Sequence, residues 1–310
     1  MRLRADLHVH TIYSGVGRLG QLRFPESIDR PEAMVDIART KKLDVLCITD
    51  HNSINGALIA KEYAKQFDDI EVVVGEEVST KDGEIIGLWL TELIPPKLSA
   101  EETVRRIREQ GGIVIAPHPF SFHVPALNEK IFDLDIDGIE VLNGGHIDKY
   151  SNRMASEVSK KYPGKWAEIS SSDAHSASTF GYAWTEFEGN DANDLRKAIL
   201  AQTTMPCGTP VPIDRAVVWS MKVVYKGFKM MLKAMFGRLR PDPDDPLVTS
   251  ILRVPGHKRV AGILGAMIFL FPPIPFLASA ASNTWLNRRA TVLLDHISET
   301  LEKIGPTEFH

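Results

Sequence analysis

Residues 6–11 read Asp6-Leu7-His8-Val9-His10-Thr11 and complete a strand-like run that begins at Arg4. Side chains two positions apart on a β-strand point to the same side, so His8 and His10 project together where this strand ends. Neutral imidazole nitrogens are common metal ligands. Asp6 would lie on the same side and orient one imidazole from behind. The stretch therefore predicts a strand with a metal-binding pair at its carboxyl end.

Four other apolar runs also end in histidine or carboxylate residues. They carry the motifs Thr49-Asp50-His51, Gly75-Glu76-Glu77, Ala116-Pro117-His118-Pro119 and Ser172-Asp173-Ala174-His175. Taken alone, each motif is equally typical of a turn, a helix cap or a satisfied histidine on a loop. Together they indicate one site, because the sites of α/β barrels and open α/β sheets lie at the carboxyl ends of the strands.

Short apolar runs alternate with helix-like segments over the first two thirds of the chain. Strands are predicted at Arg4–Val9, Asp44–Thr49, Glu71–Val78, Glu84–Leu90, Ile113–Pro117, Gly138–Asn143, Trp166–Ser172 and Tyr182–Phe187. Helices are predicted at Pro31–Lys42, Ser99–Gln110, Asp148–Lys161 and Asp191–Gln202. Ser99 followed by Glu102 is a capping-box pattern. Repeated β-then-α units predict a mainly parallel sheet, open or closed into a barrel.

The character of the sequence changes near residue 205, which predicts a domain at 1–205 and a helical, partly apolar extension at 206–310. Met205–Pro212 holds three prolines and a glycine and is predicted to be a linker. Ala216–Leu239 is amphipathic and basic, and Thr284–Ile304 is predicted to be a terminal helix. Residues 211–310 hold 13 Lys and Arg against 8 Asp and Glu, net +5, whereas residues 1–210 hold 23 against 32, net −9. This asymmetry indicates two roles along the chain.

Two interpretations of the extension remain open from the sequence. Val260–Ser282 has no charged residue and is long enough to span a bilayer, but Pro272, Pro273 and Pro275 would break a simple span. A shallow hairpin or re-entrant element at a membrane surface, reached through residues 211–310, is one interpretation, and the lysines of the preceding helix would favour anionic headgroups. The other is a helical appendage that packs its apolar face on the barrel.

The chain has two cysteines, Cys47 in an apolar run and Cys207 in a segment rich in proline and glycine. They predict neither a disulfide framework nor a thiolate metal site, which fits a reducing compartment. The first residues lack the long apolar run of a secretory signal. We therefore expect a cytoplasmic protein, peripheral or monotopic at the inner face of the membrane if the extension binds there.

The motifs resemble, in order, those of the PHP family, the polymerase and histidinol phosphatase superfamily, over roughly residues 3–200. The matching segments are Asp-Leu-His8-x-His10-Thr, Thr-Asp-His51, Gly-x-Glu77 followed by Val-Ser-Thr, Pro-His118-Pro, Ile139-Glu140-Val141-x-Asn143 and Ser-Asp173-x-His175. The resemblance implies a distorted (β/α)7 barrel, similar to a TIM barrel, that holds two or three divalent metal ions. It also implies phosphoesterase activity.

The resemblance and the strand-end pattern together give eight candidate metal ligands: His8, His10, His51, Glu77, Glu84, His118, Asp173 and His175. By resemblance, Glu77 is the bridging carboxylate. Many members carry an aspartate for a third metal where this chain has Gly15, and a histidine where it has Glu84. Glu26 or Asp29 is a candidate substitute for the aspartate. Imidazole and carboxylate ligands suit manganese, zinc or iron.

The expected chemistry is in-line attack on phosphorus by a metal-bound hydroxide, with two metals stabilising the phosphoryl oxygens. Candidate helpers for the phosphate or the leaving group are His146, His123 and Arg18. Guanidinium groups match phosphate oxygens, so Arg18, Arg23 and Arg30, on the segment after the first strand, are weaker candidates for substrate binding.

Three functions are compatible with these residues. The first is hydrolysis of phosphate esters of a nucleotide, an oligonucleotide end or a small phosphorylated metabolite. The second is a phosphomonoesterase of the histidinol phosphatase type, although no residue selects that substrate. The third is a catalytically degenerate module that binds metal and phosphate compounds at a membrane, for which the missing aspartate at Gly15 is the best support. The sequence leaves the oligomeric state open.

Overall fold

A computed structural model describes residues 1–19 and 22–305 of the chain. The described strands are β1 (Arg2–Val9), β2 (Val16–Leu19), β3 (Leu22–Pro25), β4 (Val45–Ile48), β5 (Glu71–Ser79), β6 (Glu84–Leu88), β7 (Ile113–Ala116), β8 (Gly138–Asn143), β9 (Ala167–Ser171), β10 (Ala183–Glu188) and β11 (Met205–Gly208). One sheet has the order β11-β10-β1-β4-β5-β6-β7-β8-β9, and β2 pairs with β3 as a separate hairpin. The eight strands predicted from the sequence are confirmed, with ends shifted by at most two residues.

The sheet is mixed, so the prediction of a mainly parallel sheet is wrong. The pairs β1–β4, β4–β5, β7–β8 and β8–β9 are parallel. The pairs β5–β6, β6–β7, β1–β10 and β10–β11 are antiparallel. The physical reason at β5 and β6 is the short turn between Ser79 and Glu84, since parallel neighbours need a long crossover connection.

The sheet curls into a nearly closed, distorted barrel, because its last strand, β9, returns to the strands at its other end. At the gap, Thr185 on β10 both donates to the carbonyl of Ser170 (2.7 Å) and accepts from its backbone N–H (2.9 Å) through Oγ1. Beyond β9, the backbone N–H of His10 donates to the carbonyl of Ala174 at 3.0 Å. The confirmed fold is therefore a distorted α/β barrel followed by C-terminal helices.

Both faces of the barrel strands are buried, which explains their continuous apolar runs. Leu7, Cys47 and Ile169 pack with other inward-facing residues in a core inside the barrel. Val9 and Ile48 pack outward, against the surrounding helices. The apolar interior fills the end of the barrel where the parallel strands β1, β4 and β5 begin. Polar residues occupy the end where these strands finish.

Five helices pack on the barrel, namely α1 (Pro31–Thr40), α2 (Asn55–Ala64), α3 (Ala100–Glu109), α4 (Ser151–Lys161) and α5 (Ala192–Leu200). Four of them were predicted, and α2 was not. The capping box is confirmed in part, since Oγ of Ser99 accepts the backbone N–H of Glu102 at 3.3 Å. Asp191 caps α5 in the same way, since its Oδ1 accepts the backbone N–H of Asp194 at 2.8 Å.

The segment predicted to be a linker is partly strand, so that prediction is wrong for Met205–Gly208. These residues form β11 and pair with β10 at the edge of the barrel sheet. The signal was misread because proline and glycine also occur on edge strands, where backbone donors face away from the sheet. β11 thus runs across the predicted domain boundary at residue 205, and the division itself remains a prediction.

The extension consists of α6 (Ile213–Met235), α7 (Pro246–Leu252), α8 (Gly256–Leu270), α9 (Ile274–Asp295) and α10 (Ile297–Lys303). The predicted terminal helix begins earlier than expected, at Ile274, and breaks at His296. The end of the chain returns to the barrel, where the carbonyl of Ile304 accepts from Lys161 Nζ at 2.9 Å and from the Tyr162 hydroxyl at 2.8 Å. Ala290 on α9 is fully buried in the outer core.

The helices α8 and α9 bend sharply at the proline cluster. Within the described residues, neither helix alone has the length and apolar character needed to cross a membrane. Taken together, the two pass that test as a pair bent by 89°. Large apolar side chains on this pair remain exposed, including Ile268, Phe271, Phe276 and Leu277.

Candidate metal centre

The eight candidate ligands come together at one end of the barrel. His8 and Glu77 lie on β1 and β5, His10 directly follows β1, Glu84 opens β6, and the others follow β4, β7 and β9. Six of them line a cavity of about 430 Å³, a size typical of small-molecule sites, namely His51, Glu77, Glu84, His118, Asp173 and His175. Side chains that are distant along the chain therefore form one cluster.

The pair His8 and His10 is fully buried beside Glu77 and Asp173, two of the carboxylates that line this cavity. Their Nε2 atoms are 3.0 Å apart. Each of these two Nε2 atoms is 3.4 Å from Oε2 of Glu77. Oδ1 of Asp173 lies 3.4 Å from Nε2 of His8 and 3.2 Å from Nε2 of His10. Two imidazoles and two carboxylates thus point toward one small volume.

Glu77 lies between two groups of histidines. Its Oε1 accepts from Nε2 of His118 at 3.1 Å, and its Oε2 is 2.9 Å from Nδ1 of His51. Burial opposes ionisation of this carboxyl, yet the imidazoles of His51 and His8 hold its pKa well below its usual range. The carboxylate is therefore charged and in reach of four imidazoles, as a bridging ligand must be.

Glu84 lies at the outer side of the cluster. Its carboxylate oxygens are 3.8 Å from Nδ1 of His51 and 3.8 Å from Nε2 of His118. Burial, with the nearby charge of Glu77, raises the pKa of Glu84 to about 7. An added cation would lower that pKa again, so Glu84 is placed as an oxygen donor where the family has a histidine.

The donor set fits divalent metal ions. Ligand atoms that each lie about 2 Å from one ion are roughly 3–4 Å from each other, which matches the separations among His8, His10, Glu77 and Asp173. Burial lowers the pKa of His10 well below its usual value, and the nearby imidazoles of His175 and His51 lower it further. His10 is therefore neutral, as a histidine that binds metal must be. Oε2 of Glu77 and Nδ1 of His118 are buried and make no hydrogen bond within the described part of the chain. A cation would satisfy that carboxylate oxygen.

Backbone strain marks the same positions. His118 and Asp173 have φ angles of +30° and +49°, in the left-handed region that non-glycine residues rarely adopt. These two residues lie two positions beyond the ends of β7 and β9, respectively. Strained backbone of this kind concentrates at functional sites, where the surrounding structure holds it.

The residue that orients His8 is Glu140 rather than Asp6. Oε1 of Glu140 lies 2.9 Å from Nδ1 of His8, and its Oε2 accepts the backbone N–H of His118 and the side-chain amide of Asn143, both at 2.8 Å. The Asp6 carboxylate instead accepts the backbone N–H groups of His8 and Ser172. The prediction for Asp6 is therefore wrong, and the signal for Glu140 was a lone carboxylate within the apolar run of β8.

A shift in strand register explains the error at Asp6. The pairing of β1 with β4 is irregular between Asp6 and Val9. Leu7 and His8 consequently both face the barrel interior, although they are neighbours in sequence, and the expected alternation fails there. His10 is oriented separately, through Nδ1 and the hydroxyl of Ser14 at 3.0 Å.

The comparisons with known proteins agree with this arrangement. The PHP domain family model matches residues 6–203. The chain belongs to the PHP domain family. The matched residues include the eight candidate ligands and all five strand-end motifs, and they leave out only β11 and the start of β1 from the barrel sheet.

Two relatives come from Methanocaldococcus jannaschii. The uncharacterized protein MJ1587 is 49% identical over 164 residues, which are 53% of this chain and 95% of the relative. The uncharacterized protein MJ1588 is 34% identical over 110 residues, which are 36% of this chain and 92% of the relative. Among solved structures, PsfC from Pseudomonas syringae PB-5123 is similar with a TM-score of 0.50 and 17% identity, over 67% of this chain and 92% of that one. This last likeness concerns the fold alone.

The departure at Gly15 has a backbone cause. Gly15 follows a short 3₁₀ turn at Ile12–Ser14 and has a φ of +83°, which glycine adopts without strain. Of the two proposed substitutes for the missing aspartate, Glu26 lines the cavity with His51. Asp29 instead accepts the backbone N–H of Ala177 at 2.8 Å. Glu26 is therefore the better placed carboxylate of the two.

The candidate helpers divide into those the structure describes and those it does not. His146 and His123 both line the cavity, and their rings stack 4.6 Å apart. The side chains of Arg18 and Arg23 lie outside the described residues, so their roles stay predictions. Arg30 is exposed, and its guanidinium donates to the carbonyl of Asp244 in the extension at 3.1 Å.

A second group of metal-binding residue types adjoins the first. Nε2 of His123 lies 3.0 Å from Oδ2 of Asp148, and Nε2 of His146 lies 2.9 Å from the hydroxyl of Ser121. The ring of His146 stacks on that of His118 at 5.1 Å. Burial, and then repulsion from the nearby imidazoles of His118 and His123, lower the pKa of His146 to about 3. His146 is therefore a neutral, hydrogen-bonding group at neutral pH.

Proposed function

We propose that this chain hydrolyses phosphate esters in a metal-dependent reaction at the mouth of its PHP domain. The observation that carries the proposal is the convergence of five imidazoles and three carboxylates from different strands in one cluster, six of whose members line one cavity. The PHP domain match supports the same conclusion. Membership in this family implies phosphorylated substrates, which suits a site whose cations would attract negative charge.

The residues of the chain divide the work as follows. Bound divalent metals would supply an activated water and neutralise charge on the phosphoryl oxygens. His8, His10, Asp173 and Glu77 would hold one ion, and Glu77 would share a second with His51, His118 and Glu84. Glu140 binds Nδ1 of His8 and so leaves Nε2 as the nitrogen that would bind an ion.

Protonation of the leaving group falls to His123 rather than to His146. His123 lines the cavity, and the carboxylate of Asp148 holds its Nε2 at 3.0 Å. This carboxylate partner fixes the orientation of the ring at the cavity. His146 is neutral and hydrogen-bonded to Asn143 and Ser121, so its role is to position its neighbours.

The test combines metal content with turnover in the full-length chain. We expect at least two metal ions per chain by elemental analysis, and hydrolysis of a chromogenic aryl phosphate monoester or diester with added manganese. A chelator should remove the turnover, and manganese should restore it. Stoichiometric metal with no turnover of either ester would favour the degenerate binding module. Absence of bound metal after reconstitution would overturn both.

We further propose that the extension contacts the inner face of a membrane in a cytoplasmic protein. The bend between α8 and α9 exposes Phe271 by 68%, Phe276 by 59% and Leu277 by 62%. Lys222, Lys229 and Lys233 on α6 are exposed and would favour anionic headgroups. Apolar side chains at a bend flanked by basic residues are typical of a shallow membrane contact.

Leu277→Ser is expected to weaken binding to vesicles that contain anionic lipid by about tenfold, because a leucine that leaves water stabilises binding by roughly 1.5 kcal/mol or more. The control is Leu200→Ser on α5, since Leu200 is exposed by a similar 55% but lies on the barrel. Vesicle co-sedimentation of the full chain measures both. Equal binding of the two variants, or no binding of the unmodified chain, would contradict the membrane contact.

A further inference from the structure

A second cavity of about 320 Å³ lies between α6 and α8, and we refer to it as the apolar groove. Its walls include Phe24, Trp219, Val223, Val224, Phe228 and Phe269. Apart from Ser220, the described residues that line it have no polar group on their side chains other than the indole N–H of Trp219. The apolar groove therefore suits a hydrocarbon chain and offers almost nothing to a sugar or a nucleobase.

The apolar groove adjoins the metal cavity. Phe24 on β3 and Trp219 on α6 line both cavities. The indole ring of Trp219 lies 5.8 Å from the imidazole of the candidate ligand His175. A ligand that extends past these two side chains would have a polar end at the metal cavity and an apolar end between the helices.

An unsatisfied donor lies at this junction. Nε1 of Trp219 is buried and makes no hydrogen bond within the described ranges 1–19 and 22–305. A buried indole N–H without a partner costs free energy, and such groups usually find an acceptor. An ester or phosphoryl oxygen that passes between the two cavities would supply that acceptor.

We propose that the substrate is amphiphilic, namely a phosphate ester of a long-chain alcohol whose hydrocarbon tail occupies the apolar groove. The inference rests on the proposed phosphoesterase function, because it assigns the phosphate end to the metal cavity. The metal cavity is also lined by the apolar side chains of Val124 and Leu286, which suit the first carbons after the ester oxygen. Charge and apolar surface are thus separated along one path, as they are in the substrate.

The test uses alkylphosphonates, whose carbon–phosphorus bond this reaction does not cleave, so binding is measured apart from turnover. With manganese present, decylphosphonate is expected to bind the full chain at least about a hundredfold more tightly than butylphosphonate, because each buried methylene strengthens binding by about fourfold. Titration calorimetry below the critical micelle concentrations gives both affinities. Equal affinities, or failure of decylphosphonate to bind, would overturn the inference.

Blocking the apolar groove should remove the dependence on chain length. Val224→Trp on α6 fills the groove and is expected to bring the affinity ratio of the two phosphonates below about tenfold. The matched control is Val218→Trp on the same helix, because Val218 is 40% exposed and is not among the described groove residues. An unchanged ratio in Val224→Trp would contradict the assignment of the tail to this groove.

Turnover separates the inference from the function on which it rests. If decyl phosphate and butyl phosphate are hydrolysed with equal kcat/KM and the phosphonates bind equally, the phosphoesterase stands and the amphiphilic substrate is wrong. If decylphosphonate binds tightly but neither phosphate ester is hydrolysed, the groove assignment stands as a binding site and the proposed hydrolysis fails.

Discussion

Replacement of His8 by alanine is expected to lower kcat/KM for an aryl phosphate by more than about a hundredfold, since loss of a residue that merely orients a ligand already costs 10–100-fold. Nε2 of His8 lies within 3.4 Å of His10, Glu77 and Asp173, so its removal leaves one ion a ligand short. The bound metal should fall by about one ion per chain. Elemental analysis after dialysis and steady-state kinetics with added manganese measure the two effects.

The control for His8→Ala is His296→Ala, because the side chain of His296 is 65% exposed at the junction of α9 and α10. This variant should keep both metal content and turnover. Thermal unfolding of both variants distinguishes loss of the site from loss of the fold. A folded His8→Ala protein with full turnover would show that the reaction does not take place at the barrel mouth.

The strand ends were predictable because they depend on local patterns. Apolar runs of four to eight residues, followed by His, Asp or Glu, predicted the ends of β1, β4, β5, β7 and β9. Carboxyl ends of barrel strands share one end of the fold, so the clustering of His51, His118 and His175 followed from topology. The bounds moved by at most two residues because the turns that end the strands are encoded in the same short stretches.

Features that depend on distant contacts were not predictable. The register shift in β1 arises from pairing with β4, and it moved Asp6 away from the imidazoles. Glu140 was not identified as the partner of His8, because a lone carboxylate in an apolar run does not indicate which distant residue it contacts. The apolar groove combines β3, α6 and α8, which are far apart in the chain. Each of these features exists only once the barrel and the extension have packed.

The departures at Gly15 and Glu84 bear on how many ions the site holds. Glu84 supplies oxygens 3.8 Å from His51 and from His118, so a second ion held there with Glu77 would have four side-chain ligands. The aspartate position is taken by a glycine with positive φ, and Glu26 is the carboxylate that faces the same cavity. We therefore expect two tightly bound ions, with Glu26 as the residue on which any third ion would depend.

Glu77→Gln is expected to have a similarly large effect. The affinity for metal and kcat should each fall by at least about a hundredfold. The substitution keeps the shape of the side chain but removes the negative charge that lies among four imidazoles, within 3.4 Å of His8, His10, His51 and His118. Two cations held close together repel each other, and a shared carboxylate offsets that repulsion. The amide has no charge with which to do so, and only its oxygen remains as a donor.

The matched control is the neighbouring residue on β5. Glu76 is also fully buried, but its Oε2 accepts the backbone N–H of Ile94 at 2.9 Å, away from the site. Burial raises the pKa of Glu76 to about 7, so this carboxyl is already partly neutral near neutral pH, and Glu76→Gln changes little. Metal titrations of the two variants should differ by at least about a hundredfold in affinity. Equal affinities would mean that the charge of Glu77 does not hold the ions, and the bridging role would pass to Asp173, whose Oδ1 lies within 3.4 Å of both His8 and His10.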